Sequence, residues 1–253
     1  MLITLPWESA QETTGTPNRA AVGSIRIRTA GTGACDFHIQ AIGTVPVAIG
    51  AVNARLSFTF DDSWATDVNA ARILSARGIS ATSYVIPTKI GQSGRCTVAD
   101  LQMLRRLHRW DIQAHSDAAN YALMTEAQLR AEWVATKQFF AANGLGRAEH
   151  LAYPGGYSNT AVVNAARDYF ATARTTYSSD GINSTWQLGT YPPADPYRLR
   201  ARSSISSYSG GASVASVKTH IDYAVAGGLW FILVFHRIVP TTTESTSDRI
   251  VGQ

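Results

Sequence analysis

Apolar residues in this chain fall into short runs separated by stretches with helical spacing. From about Leu56 the order is strand, helix, strand, helix. LSFTF at 56–60 reads as a buried strand, and Thr66 to Ala76 as a helix closed by Gly78. ATSYVI at 81–86 is the next strand, and Leu101, Leu104, Leu107 and Trp110 mark a helix face through 98–108. DIQA at 111–114 follows. Met124 to Phe140 is the longest helix, with Leu129, Trp133 and Phe140 in rough register, Thr125 as N-cap and Gly144 as stop. HLAY at 150–153, a helix over 159–169 and ATARTT at 171–176 continue the alternation. Residues 177–212, heavy in Ser, Gly, Pro and Tyr, hold one more strand inside loops. Val214 to Ala226 is the last helix, and LWFILVF at 229–235 is an almost wholly apolar strand.

Strands that are apolar on both faces, each followed by a helix, predict an α/β fold of parallel strands wrapped in helices. Six or seven units are present rather than eight. The count alone leaves both a broken barrel and a doubly wound sheet open. Residues 1–50 differ. Ser24 to Arg28 and roughly Cys35 to Ile42 alternate in polarity across a GTG turn at 31–33, which predicts two short strands. Two strands rarely stand alone in water, so this β extension needs the main domain, a partner chain or a larger module to pack on. The expected division is therefore 1–50 as extension and 51–253 as the main domain.

Composition narrows the partners. The 253 residues carry a net charge of +4, and no five-residue block is basic, so a nucleic-acid groove is not expected. No run of 18 uncharged apolar residues exists, so no membrane span is expected. The opening residues lack the pattern of a secretory leader. Cys35 and Cys96 form no CxxC pair, and a disulfide between them is not readable from sequence.

The chemical signal is positional. In parallel α/β folds, active sites collect where strands exit at their C-terminal ends. Here four strands run into Asp61-Asp62, His115-Ser116-Asp117, Tyr153-Pro154-Gly155 and His236. Taken singly, each has an ordinary explanation: Asp61, Asp62, Ser63 or Thr66 can cap the following helix, and a lone histidine is more often structural. Together, carboxylate and imidazole groups from separate strands suit a divalent cation with an open position for water. A remaining carboxylate would act as base and a remote histidine as acid.

TFDD at 59–62, HS at 115–116, AYPGG at 152–156 and LVFHRI at 233–238 occur in the order and spacing of the polysaccharide deacetylase family. This is the NodB-homology, carbohydrate esterase family 4 group, and the resemblance covers about 55–240. The pattern is most similar to the poly-N-acetylglucosamine deacetylase branch, with its YP-Gly motif and a DPYRL-like segment, here Asp195 to Leu199. The resemblance implies a distorted (β/α)7 barrel and metal-dependent removal of N- or O-acetyl groups from an acetylated glycan, with zinc as the expected cation. It implies Asp61 as general base, His236 as general acid, and Asp62 and His115 as metal ligands. Pro154, Gly155 and Gly156 would shape the groove wall, and Tyr153 would offer a backbone N–H or a ring to substrate. Trp64 and Tyr157 would stack on sugar, with Trp186, Tyr191 and Tyr208 in loops near the same rim.

Three departures stand out. The family's second motif is H-[ST]-x-x-H, and its second histidine position here is Ala119. Asp117 or Asn120 are the alternatives for the third ligand, at equal weight. Ala152 stands where many relatives place an arginine that orients the base, and Arg174 is a candidate replacement, weighed evenly against an ordinary strand-end ion pair. The aspartate that supports the catalytic histidine in relatives is Asp180 or Asp195. Residues 1–50 resemble the last strands of a β-sandwich module, which suits an assembly interface, as in a homo-oligomer or a phage tail. The substrate class favours an extracellular, cell-surface or virion-associated setting. Two competing functions remain: a glycan-binding or structural protein on the same fold, and a hydrolase of non-sugar, cyclic amides.

Overall fold

The structure is a computed structural model that describes residues 54–176, 188–203, 205 and 212–238. The β extension expected over 1–50, its module and its assembly role lie outside the described residues, as do Cys35, Asp180, Trp186 and Tyr208. The elements run β1 (Arg55–Asp61), α1 (Asp67–Ser75), β2 (Thr82–Val85), α2 (Val98–Leu107), β3 (Asp111–Ala114), α3 (Glu126–Ala142), β4 (His150–Ala152), α4 (Thr160–Ala166), β5 (Thr172–Arg174), β6 (Leu188–Gly189), α5 (Val214–Gly227) and β7 (Trp230–Phe235).

Among the described residues, seven strands form one sheet in the order β5-β4-β3-β2-β1-β7-β6. All described pairings are parallel except β6 with β7. The sheet curls, and its two sides are joined by the stretch from Leu199 to Arg202. Leu199 bridges to Arg174 of β5, and Arg202 bridges to Leu233 of β7, both in parallel register. Leu199 N–H donates to Ala173 O at 2.9 Å and Arg202 N–H to Ile232 O at 2.8 Å. The result is an α/β fold of the distorted barrel type, not a flat doubly wound sheet. The strand expected inside 177–212 thus divides into the two-residue β6 and this bridging stretch.

Local chemistry explains the helix bounds. Thr97 and Thr125 each form a capping box, with Asp100 and Gln128 respectively as the reciprocal partner. Such a cap stabilises a helix start by about 1 kcal/mol. Asn159 and Ser213 cap α4 and α5, and Gly228 ends α5 at φ +61°, a conformation in which glycine avoids the Cβ penalty. The core lies between sheet and helices. Phe60 stacks on Trp110 at 4.7 Å and on Phe235 at 5.2 Å. Trp133 of α3 meets Tyr121, Tyr169 and Phe170 at 5.5–5.7 Å. These aromatic clusters anchor β1, β7 and α3, and so fix the rim above them.

Candidate active site at the strand ends

Strand register brings the polar residues to one rim. Phe60 pairs with Phe235 across β1 and β7, so Asp61 and His236, the next residues on adjacent strands, emerge about 5 Å apart in backbone. His115 follows β3, and Ala152 and Arg174 pair across β4 and β5. His115 Nδ1 lies 2.8 Å from the Ala152 carbonyl oxygen, which ties the third strand end to the fourth.

Asp61 is buried, and both of its carboxylate oxygens lie 2.6 Å from one guanidinium nitrogen of Arg174. Arg174 is itself only 1% exposed, so the pair is an interior one and not a surface ion pair. The guanidinium carbon also sits 4.9 Å from the Tyr84 ring centre. Burial pushes the Tyr84 phenol up to about 12, so this ring stays neutral beside the ion pair. Arg174 therefore occupies the place left by Ala152, but reaches Asp61 from the next strand along.

Asp62 lies one residue beyond, in a turn whose backbone is unusual. Asp62 and Ser63 have φ of +70° and +58°, a left-handed conformation costing roughly 1–2 kcal/mol per non-glycine residue. Three contacts hold it. Ser63 Oγ accepts from Ile86 N–H at 3.0 Å, Ser63 O from Cys96 N–H at 2.8 Å, and Asp62 O from Arg95 Nη1 at 2.6 Å. Neither aspartate caps α1: its N-cap position is Thr66, without a side-chain cap bond, and Thr66 Oγ1 accepts from Ile238 N–H instead. The ordinary explanation for the paired aspartates therefore does not apply.

Asp62 Oδ1 is 3.5 Å from His115 Nε2. A carbonyl oxygen only accepts, so His115 Nδ1 carries the proton and a neutral ring keeps its Nε2 lone pair on the Asp62 side. Burial pushes the Asp62 carboxyl up. The hydrogen bond and charge that His115 supplies once its ring is protonated, with the charges of His236 and Arg95, outweigh that and hold it at about 2. Asp67 contrasts with it. Fully buried at the start of α1, it accepts from Ser83 Oγ at 3.0 Å. Burial, with Asp61 and Asp62 nearby, raises its carboxyl well above the ordinary range despite that bond.

The Asp62–His115 pair suits a cation. Two donors about 2.0–2.1 Å from a tetrahedral ion lie about 3.3 Å apart, close to the spacing seen. A third protein ligand is not in place. Asp117 is half exposed and pairs with Lys89 at 2.9 Å. Asn120 Oδ1 accepts from Ala122 N–H at 2.8 Å, capping a short 3-10 turn. Among the described residues no three His, Cys, Asp or Glu side chains cluster in a way that could hold a metal.

Other expected residues divide. Tyr153 is buried, its hydroxyl donates to Tyr197 O at 3.0 Å and its N–H to Arg174 O at 3.0 Å. It supports the rim from below, so both of its expected offers to substrate are already committed. Pro154 and Gly156 are buried in a tight 3-10 turn. Gly155 is exposed at φ +58°, where a Cβ would meet the Tyr157 ring at 2.8 Å. Tyr157 is exposed above it. Trp64 is half-buried, with the Arg95 guanidinium 3.5 Å from its ring centre. Tyr191 packs edge-on against Trp230, with Arg55 4.0 Å from its ring centre. Trp230 and Arg55 begin their strands, so Tyr191 lies at the end opposite the site and not on its rim. Asp195 caps its own turn through Tyr197 N–H and pairs with Arg198, which explains it without a catalytic partner. Sequence reasoning passed over Arg95 and Asp67, which no periodicity or motif marks, and offered Ser63 only as a helix cap.

Residues 52–173 match the family model described as polysaccharide deacetylase. Among curated proteins none matches the chain. Among solved structures, a family 4 carbohydrate esterase from Streptomyces lividans, in complex with acetate, shares 16% identity. The alignment covers 73% of this chain and 80% of that one, at a TM-score of 0.51. A de-N-acetylase from Aggregatibacter actinomycetemcomitans shares 12% identity over 64% of this chain and 73% of its own, also at 0.51. A polysaccharide deacetylase from Bacillus cereus shares 19% identity over 57% of this chain, at 0.47, and the match spans 45% of that protein's length. These likenesses concern the fold. At the level of the family, the match to the polysaccharide deacetylase model is confined to residues 52 to 173.

Proposed function

We propose that this protein is a hydrolase that removes N- or O-acetyl groups from a polysaccharide or oligosaccharide with the help of a divalent cation. The family match supports a carbohydrate-active hydrolase of this type. One observation carries the finer reading: the buried Asp61–Arg174 pair stands one residue from the Asp62–His115 pair, with His236 on the adjoining strand. A structural ion pair needs no second carboxylate, and a binding groove needs no acid opposite a base.

Asp62 and His115 would hold the cation, zinc by their donor chemistry, and water would complete its shell where Asp117 and Asn120 are engaged elsewhere. When bound, it supplies Lewis-acid polarisation of the acetyl carbonyl and a more acidic water. Arg174 fixes Asp61 so that a carboxylate oxygen takes the proton from the attacking water. The breaking bond is the acetyl C–N or C–O bond, and His236 gives its proton to the departing amine or alcohol. Acetate leaves, and both protons are accounted for by water and the histidine. The missing third ligand favours a second reading, a glycan-binding protein without turnover.

The test is acetate release from acetylated oligosaccharides with zinc present. Activity is expected to vanish on chelation and to fall at least about 100-fold in Asp61→Asn, as for loss of a general base. Glycan binding with no acetate from any substrate would leave the non-catalytic reading in its place.

A further inference from the structure

Helices α1 and α2 connect parallel strands, so both run back from the rim and end at the opposite edge of the sheet. Their C-terminal ends meet there, with Ser75 Oγ 2.7 Å from His108 Nδ1. Charge at this edge is one-sided. Residues 68–110 hold seven Arg or Lys and a single acidic residue, Asp100, which caps the far end of α2. Asp111, next along the chain, accepts from Gln113 Nε2 at 2.8 Å.

A helix end favours a cation through its dipole. Arg77 and Arg105 meet that need by donating to Ile73 O at 3.1 Å and Gly144 O at 3.0 Å. Arg72, Arg106 and Arg109 are exposed, and their side chains make no hydrogen bond or ion pair among the described residues. Arg109 also holds φ +57° just past α2, a place where glycine is the usual residue because a Cβ is strained there. A strained arginine without a contact of its own points to a use outside the fold. Leu107 lies between Arg106 and Arg109 and is 73% exposed, and Ile73, beside Arg72, is 39% exposed.

We propose that the C-terminal ends of α1 and α2 dock on an anionic lipid surface, with Arg72, Arg106 and Arg109 on headgroup phosphates and Leu107 and Ile73 in the headgroup–acyl boundary. Charge complementarity selects an anion. The two aliphatic side chains select a lipid, since a soluble polyanion would leave them in water. This is attachment and not a span: among the described residues no helix is long and apolar enough to cross a membrane. With this edge on the lipid, the rim that carries Asp61, Asp62, His115 and His236 points away from it. The proposal stands independently of the hydrolytic reading.

The test is sedimentation of the full chain with phosphatidylcholine vesicles, with and without phosphatidylglycerol. Phosphatidylglycerol at about 30% of the lipid is expected to raise partitioning about tenfold or more at about 0.1 M salt, a gain that shrinks near about 0.5 M. Arg106→Gln is expected to cost about fivefold, as for one cation near a charged surface. Lys218→Gln on α5 makes the same change in net charge and is expected to alter partitioning little. Leu107→Ser is expected to weaken vesicle binding and leave binding to soluble polyphosphate unchanged. Replacing Arg72, Arg106 and Arg109 together by Gln is expected to abolish the gain while circular dichroism stays unchanged; should that variant not fold, Arg106→Gln decides. Equal partitioning with and without phosphatidylglycerol would overturn the proposal, as would equal losses from Arg106→Gln and Lys218→Gln. Tight binding to polyphosphate with none to vesicles would also overturn it, and would name a soluble polyanion as the partner. Acetate release is scored separately: its absence sinks the deacetylase reading and leaves this docking face standing.

Discussion

Replacing Arg174 by Met removes the guanidinium from a site where it is 1% exposed and leaves the Asp61 carboxylate buried with its partner gone. At 5% exposure the carboxylate has too little contact with water to replace two contacts of 2.6 Å. Breaking a buried pair from one side typically costs about 3–5 kcal/mol, whereas exchanging both partners for neutral groups of similar volume is often close to neutral. Arg174→Met is therefore expected to lower unfolding free energy by about 3–5 kcal/mol, and Asp61→Asn by a similar amount. The double variant is expected to cost at least about 2 kcal/mol less than the sum of the two. Urea unfolding gives all three values, with an unchanged m-value as the check that the comparison is like for like. Additive losses, or a single loss below about 1 kcal/mol, would show that the pair is not the interior contact described here.

Three further outcomes follow from the site's electrostatics and backbone. The Asp62 carboxyl is held at about 2, below its ordinary 3.8. Its stabilising contribution, on the order of 2 kcal/mol, is present above about pH 4 and lost as pH falls towards 2. Unfolding free energy of Asp62→Asn should lack that loss; matching pH profiles for variant and wild type would refute it. Asp67 has the opposite sign: its folded carboxyl is raised by burial, so its favourable contribution is full below about pH 4 and declines as pH rises. Asp67→Asn should therefore melt higher than wild type at neutral pH and lose that gain in acid, and a lower melting temperature at both would refute it. Gly155→Ala should cost about 1–2 kcal/mol from its positive φ alone, with the Tyr157 ring displaced in addition; an unchanged Tyr157 environment by NMR would contradict the 2.8 Å approach.

Much of the strand-end site was legible because buried parallel strands appear as unbroken apolar runs. The residue after such a run, as at Asp61 or His236, is placed by the run itself. The helix starts at Thr125 and Asn159 follow from side chains that satisfy the first free N–H groups. What stayed hidden depends on register between distant strands. Arg174 reaches Asp61 from 113 residues away, and its own strand gives no sign of whether it faces inward. Leu199 to Arg202 joins the sheet through backbone bonds to β5 and β7, which no side-chain pattern announces. The left-handed turn at Asp62-Ser63 is likewise imposed by Ile86, Arg95 and Cys96, residues far along the chain. Asp117 and Asn120 looked equivalent as ligands because sequence records their donor atoms and not their existing partners, Lys89 and the Ala122 N–H.

The most direct measurement is a zinc-edge anomalous difference map from crystals grown with zinc and acetate. The expected result is one strong peak about 2.0–2.2 Å from Asp62 and from His115 Nε2, with acetate between it and Asp61. A peak elsewhere, or none at this pair while zinc occupies other sites, would contradict the proposal that these strand ends hold a hydrolytic cation.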